Sequence, residues 1–334
     1  MRHQKKRWFA ALLALCMLLS ILPSTSLAFS ESEETWSGNR RNQTIDGGTH
    51  TITLSNLTID SPGVEKSAID ITGNADVTFI LEGNNTLSGY RNHPAIWVES
   101  GSSVTFEGNG LLEASAGGAS IGLGAAGIGG GYGASSNFGN ITINGGTIIA
   151  RGSGGGAGIG GGYEVGSGTV TGNITINGGY VTVIGGSSGS TGGAGIGSGE
   201  NANYGGTVTI NGGVVYAEGG ADSTSIGSGN RAIGTSDNGA FTTGTGGNAV
   251  IVAPDGIGDP SGFADWDGIF ISYEGSNTSA TVGEDGTVHL NDTEANIQVW
   301  GEPVIDYPLV VESGTELRVV QNDRNYACLL YTSD

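Results

Sequence analysis

The stretch GNITINGG at Gly139–Gly146 recurs without a change at Gly172–Gly179, and a close variant, GTVTINGG, stands at Gly206–Gly213. The three copies begin 33 and 34 residues apart. Inside each copy apolar and polar residues alternate, which is the period of a β-strand, and the closing Asn-Gly-Gly is a turn signal. A strand-and-turn unit that returns at this spacing predicts a solenoid, in which each repeat stacks on its neighbours.

The segments around these copies supply further strands. Behind each Asn-Gly-Gly comes a second β-branched run, at Thr147–Gly152, Tyr180–Gly186 and Val214–Gly220. Ahead of the repeats stand single isoleucines that we expect to form one stacked row: Ile69, Ile96, Ile128, Ile159, Ile196 and Ile226. Three short strands in each repeat of roughly 27 to 41 residues predict an all-β fold, namely a right-handed single-stranded parallel β-helix that rises about 4.8 Å per turn.

The turns carry two further expectations. Asn144, Asn177 and Asn211 occupy the same place in their repeats, so they are expected to stack as an internal asparagine ladder. An asparagine followed by glycine also adopts positive φ readily, which a tight corner would use.

The glycine-rich run GLGAAGIGGGYG at Gly122–Gly133 contains a G-x-G-x-x-G, the pattern of a dinucleotide-binding loop. That loop must open a helix and be followed about 20 residues later by an acidic residue. Here more glycines follow, and no acidic residue occurs between Glu113 and Glu164. We therefore expect no nucleotide cofactor, and we interpret the run as part of the repeat.

The first 28 residues have the pattern of a secretion signal. Four basic residues precede the apolar run Phe9–Leu22, and Ser26–Ala28 offers small residues for cleavage after Ala28. The protein is therefore expected to be extracellular, at the cell surface or cell wall, and not an integral membrane protein.

The sequence divides into five expected segments. A signal peptide at 1–28 and a lead-in or cap at 29–42 precede a β-helix at 43–253, and a small C-terminal β cap or the start of a second β domain follows at 254–327. The last segment, 328–334, resembles a translated sequencing adapter, so the native reading is expected to stop near residue 327. Within the fourth segment, Ser279–Leu290 is expected to form a hairpin and Leu309–Val320 two strands around a glycine.

Composition excludes several classes of protein. Glycine makes up 65 of 334 residues, and without the signal the net charge moves from −20 to −24, because the signal holds four basic residues and no acidic one. So acidic a chain is not expected to bind nucleic acid, which requires basic patches. Cys16 lies in the signal and Cys328 in the suspected adapter, so neither disulfides nor thiolate metal ligands are expected.

The repeats resemble those of the Gly-rich, right-handed parallel β-helix (pectin-lyase-like) surface proteins of Gram-positive bacteria, of the carbohydrate-binding type. The resemblance is carried by VTINGG at Val208–Gly213 and GAGIGGG at Gly156–Gly162. It implies a fold, a cell-surface location and a polysaccharide or cell-wall glycan as partner, with a monomeric chain.

An enzymatic function is the competing hypothesis for this fold. Polygalacturonases of the same fold resemble one another in a Gly-His-Gly and an Arg-x-Lys, and this chain has neither. A polysaccharide lyase would need a base such as Arg91 or Arg151 beside a Ca²⁺ held by clustered acids, and both arginines are far from any acidic triplet in the sequence. We expect no catalytic residues.

Two groups of aspartates could supply oxygen ligands to Ca²⁺. The first is Asp60, Asp70 and Asp76, whose oxygens would meet if Asp60 and Asp76 faced each other across neighbouring repeats; the alternative is solvated carboxylates at a sheet edge. The second is a loop with Asp255, Asp265 and Asp267.

Aromatic residues are the candidate glycan platforms. Trp266 lies within the second aspartate group, where it either stacks on sugar or plugs the end of the core. Tyr132 and Tyr163 each follow an AGIGGG run and, with Tyr204, are expected to form an external row. Such a row would suit a linear glycan or would merely shield glycine-rich backbone.

The sequence thus favours a secreted, non-catalytic β-helix protein that binds polysaccharide, with Ca²⁺ as the metal that its acids would hold. A passive adhesin or stalk that displays downstream domains is the first alternative, and a cryptic polysaccharide lyase is the second.

Overall fold

The structure is a computed structural model that describes residues 34–60, 65–118, 123–133, 136–165, 168–230, 238–243, 249–258, 268–272, 280–282, 287–290, 294–300, 309–311, 316–321 and 329–332. These residues form β-strands and the turns between them, so the prediction of an all-β chain is confirmed for them. Within those ranges the chain has no helix with the length and apolar character that crossing a bilayer requires.

The strands are short and evenly distributed. The first group comprises β1 (Glu34–Asn39), β2 (Gln43–Asp46), β3 (Thr49–Asp60), β4 (Ile69–Thr72), β5 (Asp76–Glu82), β6 (Asn84–Ser88), β7 (Ile96–Val98), β8 (Ser103–Gly108) and β9 (Leu111–Ser115). The second comprises β10 (Ile128–Gly129), β11 (Asn140–Ile143), β12 (Thr147–Arg151), β13 (Ile159–Gly160), β14 (Thr169–Val170), β15 (Asn173–Ile176), β16 (Tyr180–Ile184), β17 (Ser187–Ser188) and β18 (Thr191–Gly192).

The later strands complete the repeats and then depart from them. They are β19 (Ile196–Gly197), β20 (Asn203–Ile210), β21 (Gly213–Glu218), β22 (Ile226–Gly227), β23 (Asn238–Thr243), β24 (Ala249–Val252), β25 (Gly268–Ser272), β26 (Ala280–Val282), β27 (Val288–Leu290), β28 (Glu294–Trp300), β29 (Leu309–Val311), β30 (Glu316–Gln321) and β31 (Leu329–Thr332).

One strand from each repeat joins a seven-stranded parallel sheet, here called the isoleucine column, in the order β2-β4-β7-β10-β13-β19-β22. Its register pairs the six predicted isoleucines one on the next, at separations of 27 to 37 residues. All six are at most 1% exposed. The predicted isoleucine row is therefore confirmed.

Two more columns of parallel strands form from the same repeats. The threonine column contains the first half of β3 followed by β5, β8, β11, β15, β20 and β23. The third column contains the second half of β3 followed by β6, β9, β12, β16, β21 and β24. Three parallel columns that each gain one strand per repeat are consistent with a parallel β-helix.

Alternate residues of each strand are buried, and the inward side chains form one apolar core. Near the first repeats the core is aromatic, since the rings of Trp36 and Phe79 lie 6.3 Å apart and those of Phe79 and Phe106 lie 5.9 Å apart between centroids. Further along, isoleucine and valine replace these rings. Because the core runs through every repeat, each repeat depends on its neighbours for burial.

The asparagine ladder exists, but it lies outside the core. The Asn177 amide donates to Asn144 Oδ1 at 2.8 Å, and the Asn211 amide donates to Asn177 Oδ1 at 2.7 Å. The side chains of Asn144 and Asn177 are exposed, so the expectation of an internal ladder is wrong. Positive φ falls on the second glycine of each Asn-Gly-Gly, with values of 85° to 88°, and not on the asparagine. That glycine makes the corner, which leaves the asparagine in phase with the outward residues of the strand.

Four of the six stacked isoleucines are followed by a glycine, and this glycine serves a purpose different from that of the corner glycine. The φ angle lies between 128° and 136° at Gly129, Gly160, Gly197 and Gly227. Residues other than glycine rarely adopt this backbone conformation. A Cβ atom on any of the first three would overlap the backbone carbonyl of the next glycine in the row. The AGIG runs are therefore close contacts between backbones of consecutive repeats.

The parallel pairing begins with β1, which pairs with β3 from Glu34, and reaches β25, which pairs with β24 as far as Ile271. Beyond it, β28 runs antiparallel to β25 and β30 parallel to β28. β26 and β27 form the predicted hairpin, and the two strands predicted within Leu309–Val320 are β29 and β30. β31 pairs antiparallel with β30. The segments 1–28 and 29–33 lie outside the described residues.

Candidate functional site

A surface cleft of about 360 Å³ lies beside β7 and β10 of the isoleucine column. Segments from consecutive repeats meet in its walls, namely the turn before β4, the turn before β7, β7 itself and the turn after β10. The lining residues are Glu65, Arg91, Asn92, His93, Pro94, Trp97, Gly131 and Tyr132. We call this the Trp97 cleft.

Trp97 faces outward because of the alternation in its strand. Its neighbours Ile96 and Val98 are fully buried, so the residue between them must point to the opposite face of the sheet. The register places Trp97 between Asp70 on one side and Gly129 on the other. Each strand of a column is one rung. Gly129, which pairs with Trp97 from the next rung, has no side chain, so that flank of the indole is uncovered.

Tyr132 closes the cleft on the side of the later repeats. Its ring stacks on that of Tyr163, with 5.7 Å between centroids and 23° between planes, and both rings are half-buried. The Tyr163 hydroxyl accepts a hydrogen bond from the Asn201 amide at 2.8 Å. The predicted row of tyrosines after the AGIGGG runs is therefore present for Tyr132 and Tyr163. The Asn201 side chain holds the Tyr163 ring in position.

Tyr204 does not extend that row. It is fully buried, and its ring stacks on Phe138 at 6.4 Å between centroids and 3° between planes. Within β20, Tyr204 is in phase with the inward residues Val208 and Ile210. The expectation that Tyr204 is an external ring is therefore wrong, and a glycan cannot stack on it.

Arg91 lies at the mouth of the cleft in an unusual backbone conformation, with φ of 49°. In the described part of the chain, every other residue with positive φ is glycine, asparagine or aspartate, which tolerate it better. The guanidinium lies 5.3 Å from the centroid of the Tyr90 ring and 3.7 Å from Glu65 Oε1. Since both partners of this ion pair are more than half exposed, the pair adds little stability. Strained backbone of this kind concentrates at functional sites.

The cleft also holds polar atoms that the described residues do not satisfy. Asn92 Oδ1, an acceptor, and Trp97 Nε1, a donor, are buried and have no hydrogen-bond partner in that part of the chain. Buried polar atoms normally have partners, so such exceptions point to a bound water or ligand.

Asp70 lies behind the cleft on β4, next to Trp97 in the register, and is only 9% exposed. Burial raises the pKa of this carboxyl above its usual value, although the nearby Ser67 hydroxyl and the positive charges of Lys66 and His93 oppose that rise. The fold therefore favours the protonated form of Asp70 more than the unfolded chain does.

This shift predicts how stability depends on pH. For an acid whose pKa is higher in the folded state, stability is greatest below the unfolded pKa of about 3.9 and is lost as pH rises through the folded value. We therefore expect Asp70→Asn, which removes the charge, to raise the Tm at pH 7 and to leave it unchanged at pH 3. Thermal unfolding of both proteins at the two pH values measures this. Equal effects at pH 3 and pH 7 would contradict it.

The first predicted calcium group does not assemble. Asp76 pairs with Thr49 at the start of β3, whereas Asp60 is the last residue of β3 and pairs with Ser88. Asp70 belongs to the isoleucine column, a different sheet. The condition that Asp60 and Asp76 face each other is therefore not met, because β3 is one long strand whose two halves serve two columns.

The second calcium group lies mostly outside the described residues, which exclude Asp265, Trp266 and Asp267. Asp255 is described: its carboxylate accepts from the Gly219 amide at 2.9 Å, and burial raises its pKa. This contact ties the turn after β24 to the preceding repeat. Across the described ranges, no three Asp, Glu, His or Cys side chains come together as metal ligands.

One residue of the cleft has a signal in the sequence. In PAIWV, residues 94–98, the alternation with two inward residues already predicts an outward tryptophan. Arg91, Asn92 and His93 had no such signal, because their proximity to Tyr132 depends on how the repeats stack.

Comparison with known proteins adds no relative to this picture. No protein-family model, no curated protein and no solved structure matches the chain. The chemistry of the Trp97 cleft is therefore what points to a function.

Proposed function

We propose that this protein is a secreted, non-catalytic cell-surface protein that binds polysaccharide in the Trp97 cleft. The observation that carries the proposal is an outward indole and a tyrosine ring that share one cleft with hydrogen-bonding side chains. Aromatic faces are suited to the apolar faces of sugar rings, and a few convergent polar groups then select the orientation. Asn92, Arg91 and His93 supply those groups.

The charges around the cleft favour an acidic glycan. The chain has a net charge of −20, yet Lys66, Arg91 and His93 gather at or beside this one site. A guanidinium at the mouth of a cleft can bind a sugar carboxylate through two parallel hydrogen bonds. Glu65 already pairs with Arg91, so an incoming sugar carboxylate would replace Glu65 as the partner of Arg91.

The finer description of the fold belongs to the same proposal. Three parallel columns that gain one strand per repeat support a right-handed single-stranded parallel β-helix, because crossovers between parallel strands are nearly always right-handed. The strands after β25 would then form a C-terminal β cap. The calcium ligands of this proposal are Asp255, Asp265 and Asp267, of which the last two lie outside the described residues.

Replacing Trp97 by alanine tests the site. Loss of a central aromatic anchor costs about 1.5–2 kcal/mol, so we expect polygalacturonate to bind roughly 10- to 30-fold more weakly. Tyr180→Ala is the matched control, since Tyr180 is a half-buried aromatic residue of the third column, away from the cleft. Calorimetric titration of both variants and the unaltered chain, with and without EGTA, gives the comparison.

Each outcome has a defined meaning. Equal weakening by Trp97→Ala and Tyr180→Ala would refute the assignment of the site, and no binding of any glycan would favour the passive scaffold. Appearance of unsaturated sugar products that absorb in the ultraviolet would make the protein a lyase. Loss of binding in EGTA would establish the calcium dependence.

A further inference from the structure

The outer face of the threonine column carries a regular polar array, which we call the threonine face. Its centre is one threonine per rung, and its two flanks are mostly asparagine. In three consecutive rungs the outward residues are Asn140, Thr142, Asn144; Asn173, Thr175, Asn177; and Thr207, Thr209, Asn211.

The central threonines extend beyond these three rungs. The register pairs threonine with threonine at six successive steps, through Thr51, Thr78, Thr105, Thr142, Thr175, Thr209 and Thr242. The first six are all half-buried, and each is followed in its strand by a buried core residue. Neighbouring rungs are about 4.8 Å apart, and outward residues within a strand are about 6.7 Å apart.

Strand propensity does not account for this uniformity, because the third column provides an internal comparison. Its central outward residues have the same backbone environment and the same number of rungs. Yet in register they are Thr58, Thr86, Glu113, Ile149, Thr182, Tyr216 and Val252, a mixture of charged, aromatic, apolar and polar side chains. Exposed positions of a strand thus tolerate varied residues in this protein, and the threonine column does not vary.

The flanks hold the array rigid. On one side the Asn173 side-chain amide donates to Asn140 Oδ1 at 3.1 Å. The backbone N–H of Thr207 donates to Asn173 Oδ1 at 3.2 Å. On the other side the Asn144, Asn177 and Asn211 ladder has bonds of 2.7 to 2.8 Å. Where a many-stranded sheet stays flat against its natural twist, side-chain ladders of this kind are a usual stabilising feature. The threonines therefore lie between two hydrogen-bonded ladders.

The chemistry of the threonine face restricts its ligand. In the three rungs just defined it has no charged and no aromatic side chain, so neither ionic groups nor the stacking of sugar rings is favoured. A second copy of the chain would bring together two molecules of net charge −20. What remains is an uncharged ligand with a two-dimensional repeat of its own.

We propose that the threonine face binds ice. Each rung presents a hydroxyl that hydrogen-bonds water and a methyl that orders the water around it, and the rung spacing is close to the oxygen repeat along faces of hexagonal ice. Water held at such regular positions joins the crystal lattice, whereas a flexible polymer gains nothing from a fixed two-dimensional array. Asp76 and Glu107 flank the column at earlier rungs, so the site is centred on Thr142, Thr175 and Thr209.

The test compares one substitution on two faces. Thr175→Tyr places a bulky ring in the middle of the threonine face, and Thr182→Tyr places the same ring on the third column, where the next rung already has Tyr216. We expect the unaltered chain and Thr182→Tyr to inhibit ice recrystallisation and to partition into growing ice. Thr175→Tyr should need at least a tenfold higher concentration. Circular dichroism checks that both variants keep the fold.

Several results would overturn the proposal. Absence of ice activity in the unaltered chain would do so, as would an equal loss in the two variants. Retention on insoluble cellulose or chitin that only Thr175→Tyr abolishes, without ice activity, would assign the face to a neutral crystalline polysaccharide. A dimer that only Thr175→Tyr dissociates would assign it to self-association. None of these results depends on the Trp97 cleft.

Discussion

Gly160→Ala is expected to destabilise the protein by at least about 3 kcal/mol, the combined cost of a strained backbone and an overpacked contact. Gly160 has φ of 136°, and the added Cβ would overlap the carbonyl oxygen of Gly197 in the next repeat. That oxygen cannot move aside freely, because it accepts a hydrogen bond from the Gly161 amide at 2.8 Å. Relief would therefore require two repeats to separate, with loss of burial around Ile159 and Ile196.

Two control variants separate the conformational cost from the steric one. Gly189 has φ of 66° but nothing within 4 Å of an added Cβ, so Gly189→Ala should cost only about 1 kcal/mol from its backbone conformation. Gly118 has open space and no positive φ, so Gly118→Ala should be neutral within about 0.5 kcal/mol. Equilibrium urea unfolding ranks the three. If Gly160→Ala proves no worse than Gly189→Ala, the backbone contact between repeats is not as tight as described.

The row to which Gly160 belongs could be located from the sequence, because the pair Ile-Gly recurs once in each of several repeats. Aligning these pairs gives the register of the strands. Ile159 and Ile196 were paired correctly although 37 residues separate them, since each stands before the same glycine. The repeat spacing does not predict whether the side chain of a turn residue faces the core or the solvent. Asn144 and Asn177 sit beside a corner, and a change of one residue in where the corner falls moves a side chain from the core to the surface.

The Trp97 cleft shows the other limit of sequence reasoning. Its walls come from residues 65, 91–94, 97 and 131–132, and the spacing between those repeats is 27 residues in one step and 32 in the next. Loop length therefore varies where the cleft forms, and periodicity cannot align the loop residues. The strand residue Trp97 was predictable by alternation, whereas Arg91 and Tyr132 meet only after the columns have stacked.

The ring of Tyr204 provides the second large effect, and it separates a core residue from a glycan platform. Tyr204→Ala should destabilise the protein by about 3–5 kcal/mol, because it removes a fully buried aromatic side chain that stacks on Phe138. Tyr204→Phe is the conservative variant. It keeps the ring but removes the hydroxyl that donates to the Gly172 carbonyl at 2.8 Å, so it should cost about 1–2 kcal/mol.

The two variants of Tyr204 should also differ from the unaltered chain in alkaline solution. Burial raises the pKa of the Tyr204 hydroxyl above its ordinary value, so the folded state favours the protonated form. The stability that this group contributes is therefore full below the unfolded pKa of about 10 and falls as pH rises above it. Urea unfolding at pH 8 and pH 11 should show a smaller alkaline loss in Tyr204→Phe than in the unaltered chain, because phenylalanine cannot ionise. Glycan binding at pH 8 should be unchanged in Tyr204→Phe, and a loss of binding without a loss of stability would return Tyr204 to the binding surface.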